Sequence, residues 1–263
     1  MEFQTAFEVF IGLTLLIAGL LTLAFRNRQN SLIGVRIGYT YMSEEAWRKA
    51  NTAGGLFFVG FSVFLIIMAL TGASIQAFLL ALIVGVLAGV GVSVAVAKRT
   101  YELEELSREA PEKPTGERIE ANIKPYLLVQ LAFLGLYLLL VVLSWNSLPE
   151  PMAVHFDASG NPNGFMSRAW GAVGVPVMVW AMFFALTLLG RDPGFFVRMR
   201  SFSPTGWRAW AEFNTLSNLG LIAMSFIVVL YNLGRVSVKW VNYSVWGFLL
   251  LVFLGIYRLA KAK

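Results

Sequence analysis

The chain has 263 residues, of which 57% are hydrophobic and only 14% charged. A soluble domain carries about 25% charged residues, so long stretches here hold too little charge to face water. Cysteine is absent, which excludes disulfides, thiolate metal sites and cysteine nucleophiles, and the single histidine (His155) and two aspartates (Asp157, Asp192) leave few groups for acid–base chemistry.

Seven apolar runs follow in chain order, at about 6–25, 55–71, 75–97, 125–145, 170–190, 213–233 and 241–257. Runs of roughly 18 residues or more read as membrane-spanning helices. The second is the shortest, and its start slides back toward Asn51. The expected fold is an all-α polytopic protein of seven transmembrane helices, set in the cell membrane with the lipid bilayer as its first partner. Lysine and arginine collect in cytoplasmic loops and so give the orientation. Eighteen of them flank one set of helix ends, against three (Arg168, Arg235 and Lys239) at the other. This places the N-terminus and residues 146–170 outside, and residues 26–51, 98–124, 191–212 and the C-terminus inside. The net charge of +6 then reflects topology and requires no nucleic acid. The start, Met1 to Thr5, carries no positive charge, while Arg26 and Arg28 follow the first span, which reads as a retained anchor rather than a signal peptide.

The whole chain, 1–263, reads as one integral membrane domain. Within it, 1–97 forms a three-helix unit with a cytoplasmic Arg–Trp segment at 26–51, and 98–124 a cytoplasmic charged stalk. Residues 125–145 form a connecting helix, 146–169 an extracellular loop, and 170–263 a second three-helix unit. In the Arg–Trp segment, Ser43 caps a short interfacial helix that carries Trp47, with Glu44 and Glu45 in its first turn. Ser203 to Arg208 echoes Ser43 to Arg48, and Val197-Arg198 echoes Val35-Arg36, which allows a 3+1+3 parallel repeat. In the outer loop, Pro149 and Pro151 force an extended start, Met152 to Asp157 alternate like a short strand, and Asp157 to Gly164 is dense in turn formers. Alternation predicts His155 and Asp157 on one side, opposite Val154 and Phe156.

Two of these segments together resemble the SdpI-like immunity proteins, the membrane component of a bacterial toxin-defence system. The outer residues are Leu148-Pro149, Val154-His155-Phe156, Gly160-Asn161-Pro162-Asn163, Phe165 and Ser167-Arg168. The inner ones are Ile33-Gly34-Val35-Arg36, Tyr39-Thr40, Ser43-Glu44, Trp47 and Lys49. That family usually has the His loop first and the Arg–Trp segment near the C-terminus; here the order is reversed, and Ile37-Gly38 replaces the usual Thr-Pro. The resemblance implies a non-enzymatic receptor or immunity protein that recognises a toxin peptide outside and signals to a cytoplasmic repressor. It points to His155, Asp157, Asn161, Asn163 and Arg168 as ligand-binding residues, and to Arg36, Tyr39, Thr40 and Trp47 as the cytoplasmic motif.

Other constellations are weaker. His155, Asp157 and Glu150 make a thin metal set, and a turn-forming His–Asp pair is the better reading, so no metal or cofactor is expected. Asp157 to Asn161 starts like a calcium loop, but Pro162 and Arg168 stand where that loop needs Gly and a bidentate Glu. Glu8, one turn inside the first span, reads either as a functional intramembrane carboxylate or as a side chain snorkelling to water. Gln130, Tyr137 and Ser144 share one face of the fourth span, and Asn214, Asn218, Ser225 and Asn232 one face of the sixth. Such stripes line a solute path in a transporter, the alternative function, or bond helix to helix, which is the commoner case. Two loop aspartates, one histidine and no GxSG motif leave nothing for an intramembrane protease.

Overall fold

The computed structural model describes residues 3–30, 32–107, 122–157, 159–192 and 206–261. Its helices are α1 (Phe3–Ala24), α2 (Gly38–Met42), α3 (Glu44–Leu70), α4 (Ile75–Ser107), α5 (Lys124–Ser144), α6 (Val175–Leu189), α7 (Gly206–Asn232) and α8 (Val238–Lys261). One antiparallel pair, β1 (Met152–Phe156) and β2 (Pro162–Met166), lies between α5 and α6. All but α2 fall in seven segments long and apolar enough to cross a membrane, as expected for an all-α polytopic membrane protein. The segment 108–121 within the stalk, and Val197, Arg198 and Ser203 of the echo, lie outside the described residues.

Helices α1 to α4 form one compact unit. In it α1 packs along α3 through glycines: a Cβ on Gly19 would meet Val59, and one on Gly55 would meet Leu23. Small residues let backbones approach where lipid offers no hydrophobic drive between helices. The ridge Gly85, Gly89, Ser93 and Ala97 on α4 is buried, with Phe57, Phe58 and Phe61 of α3 lying over its two glycines. Helix α4 runs for 33 residues, about 50 Å at 1.5 Å per residue. A bilayer core of about 30 Å leaves its charged end, Lys98 to Ser107, in water as a helical stalk. Glu8 is only 1% exposed and accepts a 2.9 Å hydrogen bond from Gln4, so its carboxylate turns into the bundle instead of snorkelling.

Helices α5 to α8 and the hairpin form a second unit. The fourth apolar helix, α5, read from the sequence as a connector, here packs against α6 and α7. A π-turn and a proline shape the start of α6. A π-turn at Trp170–Gly174 leads into it, and Pro176 has no N–H to donate to the carbonyl of Ala172 four residues earlier. Tyr137 from α5 supplies the missing donor, its hydroxyl 2.7 Å from that oxygen. An unpaired carbonyl is costly inside a bilayer, so a tyrosine opposite a proline is what this position needs. Gly72 after α3 and Gly234 after α7 both take positive φ, which lets the helix reverse within a tight turn.

Candidate functional site

The outer hairpin is held by two clamps. Asn232, at the end of α7, reaches the backbone of Ala153 with both ends of its amide. It accepts from the Ala153 N–H at 3.0 Å and donates to the Ala153 carbonyl at 2.9 Å. The hairpin thus gains an edge partner from a side chain. Close by, Phe156 meets Tyr231 edge to face at 4.9 Å. At the other side Arg168 donates to the Trp145 carbonyl at 2.8 Å, lies over the Trp145 ring, and its backbone N–H donates to Glu150 at 3.0 Å. Arg168 therefore ties the strand end to the end of α5.

Within the hairpin the register slips on both sides of His155, between Ala153 and His155 and again before Phe156. His155 and Asp157 do not act as a pair here, because each bonds to a different residue of the turn. Asp157 turns back into the loop and accepts from the Asn161 backbone at 2.8 Å and the Asn161 side chain at 3.3 Å. The Asn161 backbone N–H is the main reason its carboxyl titrates below the usual aspartate range. His155 instead pairs through Nδ1 with the Asn163 amide oxygen, and both side chains are exposed. Of the five outer candidates, His155 and Asn163 thus point outward together, while Asp157, Asn161 and Arg168 set the shape. Among the described residues no three His, Asp or Glu side chains gather as a metal set.

Beneath the hairpin lies a cavity of about 320 Å³, lined by Val154, Met166, Val175, Val179, Ile222 and Val228 among others, with His155 at its rim. Its one hydroxyl, Ser225, donates to the Leu221 carbonyl, so the walls are effectively apolar. An apolar cavity with a few polar groups at its mouth is the usual form of a ligand site.

The inner motif is folded around side chains that satisfy backbone groups. Asn30 accepts from the N–H groups of Leu32 and Ile33 at 2.9 and 2.7 Å. Gly34 has φ +101, and the side chain of Asn51 occupies the space where a Cβ would stand. Asn51, fully buried, accepts from the Val35 N–H at 2.6 Å and donates to the Trp47 carbonyl at 2.8 Å. Thr40, also fully buried, places its hydroxyl 2.8 Å from the Val35 carbonyl and accepts from the Ile37 N–H. Tyr39 meets the Tyr101 ring at a tilt of 47°, with centroids 5.6 Å apart, and the Lys98 ammonium lies over the Tyr39 ring.

Ser43 does cap a helix, accepting from the Ala46 N–H at 2.8 Å. That helix is not the short interfacial one expected. It runs unbroken to Leu70, and Trp47 is 1% exposed, donating to the Phe25 carbonyl at the end of α1. Trp47 belongs to the core because the second span begins at Glu44, three turns earlier than its apolar run. Of the four inner candidates, Tyr39, Thr40 and Trp47 are buried and Arg36 is exposed. Asn51 in the inner motif, absent from the expected set, carries as much of the geometry as any of the four.

The polar stripes of α5 and α7 meet each other. Gln130 accepts from Asn218 at 2.7 Å and donates to Thr187 and Thr215 at 2.9 Å each. Both Gln130 and Asn218 are 1% exposed, so they bond helix to helix and do not face a water-filled path.

Residues 26–96 match the model of the SdpI/YfhL protein family, and residues 132–179 match that of a domain of unknown function, DUF1648. The inner motif falls under the first and the outer hairpin under the second, so the two resembling segments belong to separate models. Over the first of these the chain is SdpI-like. No curated protein and no solved structure matches it.

Proposed function

We propose that this SdpI-like membrane protein is a non-enzymatic receptor of the immunity type, which recognises an external peptide or toxin at the hairpin. The observation that carries the reading is the apolar cavity beneath the hairpin with His155 at its mouth. A peptide would seat an apolar side chain in the cavity and offer a polar backbone or side-chain group to the His155–Asn163 pair. The clamps from Asn232 and Arg168 hold that mouth in shape, so little ordering cost remains for binding. The inner motif, rigid and with Arg36 outward, is the surface offered to a cytoplasmic regulator. The stripes of α5 and α7 do not favour a solute carrier, since Gln130 and Asn218 are both buried and bonded to each other.

The test is protection of a sensitive bacterial host from membrane-active peptide toxins, with inserted protein matched between variants. His155→Ala/Asn163→Ala and the cavity-filling Val179→Trp should abolish protection, while Gln130→Leu keeps it. Protection that survives the first two and fails in the third would replace this reading with solute transport.

A further inference from the structure

A second cavity, of about 310 Å³, lies in the first unit where α1, α3 and α4 meet the inner motif. Its walls are Leu15 and Ala18 of α1, Phe58 of α3 and Val90 and Val94 of α4, and its rim is formed by Gly34 to Ile37. Two hydroxyls face it, and both are spent locally. Thr22 donates to the Ala18 carbonyl at 2.8 Å, and Ser93 to the Gly89 carbonyl at 2.7 Å. The interior therefore offers a ligand no hydrogen bond and suits a hydrocarbon chain. At the rim the chemistry changes abruptly. Arg36 lines the mouth and is exposed, and Arg26 and Arg28, both exposed, follow the end of α1.

An apolar slot between membrane-spanning helices, closed at one end by a guanidinium, is complementary to an amphiphile with an acyl tail and an anionic phosphate head. Basic pockets between helices at the basic face of membrane proteins bind such heads, and arginine grips phosphate through two parallel N–H bonds. We infer that this slot is a binding site for one anionic phospholipid of the surrounding bilayer, with an acyl chain between α1 and α4 and the phosphate on Arg36. The rim is well built for that. Asn51 and Thr40 hold Val35 and Ile37 from behind, so Arg36 is presented from a fixed backbone. The site is independent of the receptor reading.

The experiment measures the thermal stability of the full chain, delipidated in dodecyl maltoside, as dioleoyl phosphatidylglycerol is titrated in. Dioleoyl phosphatidylcholine and soluble glycerol 3-phosphate serve as comparisons. Phosphatidylglycerol should raise Tm saturably, and the other two should not. Arg36→Gln should raise the half-saturating concentration about fivefold or more, on the scale of one arginine near anionic lipid. Arg36→Lys should recover part of the effect, and Arg26→Gln/Arg28→Gln should leave most of it. Ala18→Phe, which fills the slot from an exposed α1 position, should abolish the response. Should that variant not fold, the Arg36 pair decides alone. Equal stabilisation by phosphatidylcholine, the same shift from glycerol 3-phosphate, or an unchanged titration in Arg36→Gln would each overturn the site.

Discussion

Asn232 offers the sharpest test of how the hairpin is held. Replacing it with leucine keeps the volume and removes both bonds to Ala153, whose N–H and carbonyl are paired with the amide at 3.0 and 2.9 Å. Ala153 is only 5% exposed, so water does not freely replace the lost partner. Leaving buried backbone groups unpaired costs about 1–3 kcal/mol. The loss is local, because α7 keeps its own helix bonds and the core around Tyr137 and Ile222 is untouched. Opening of the hairpin should therefore become easier by about 2–3 kcal/mol while global unfolding shifts little. Hydrogen exchange reads this directly: protection of the Ala153 amide should fall by roughly 30- to 150-fold, with α7 amides unchanged. Unchanged protection at Ala153 would show that the strand pairing and the Phe156–Tyr231 contact suffice, and would refute the clamp.

Four further outcomes follow from the same geometry. Gln130→Leu should cost about 2 kcal/mol, from three interhelical bonds at about 0.6 kcal/mol each, and combining it with Asn218→Leu should be less than additive in thermal unfolding; full additivity would mean the two do not couple. Asn51→Leu removes the bond to the Val35 N–H, so cysteine placed at position 36 should label faster and tryptic cutting near Arg36 should increase, with α3 intact by circular dichroism. Because the Asp157 carboxyl is held below its free value, the turn gains stability above the unfolded pKa of about 3.9 and loses it as pH falls through the lower folded value. Exchange at the Asn161 amide should thus show no structural change from pH 8 to 5 and open only below about 4. Finally, Glu105→Cys lies on the stalk of α4, and an impermeant thiol reagent should reach it only from the cytoplasmic face; external labelling would invert the orientation read from the basic residues.

The number and rough position of the spanning helices were legible because the bilayer imposes a simple rule, and every apolar run of the chain became part of a candidate spanning helix. What the runs could not show was where helices continue into polar sequence. Glu44 to Asn51 looks like surface in one dimension, with two acids, an arginine and a lysine, yet it is the start of α3. Its charges lie outward and Ala46, Trp47, Ala50 and Asn51 inward, a helical periodicity hidden by the charge count. The short α2 was missed for a related reason. Gly38 and two tyrosines have no strong helix preference, and the turn is held by Thr40 and by Gln29, which donates to the Thr40 carbonyl from eleven residues away.

The two candidate sites divide along the same physical line. Residue types marked the hairpin correctly as a turn-rich loop around one histidine, but roles within it depend on register, which a slip of one residue reverses. The slips at His155 free Asp157 to close the turn and leave the histidine with Asn163. In the inner motif the polar residues looked like a binding surface and are mostly fasteners: Thr40, Asn51, Ser43 and Trp47 each satisfy a backbone group that a chain turning at a membrane interface cannot leave bare. Among the four inner candidates one side chain, that of Arg36, is exposed, and it is a cation. A segment that spends so many buried groups to fix the backbone on either side of Arg36 is built to present that arginine, and the chemistry it meets at a membrane surface is phosphate.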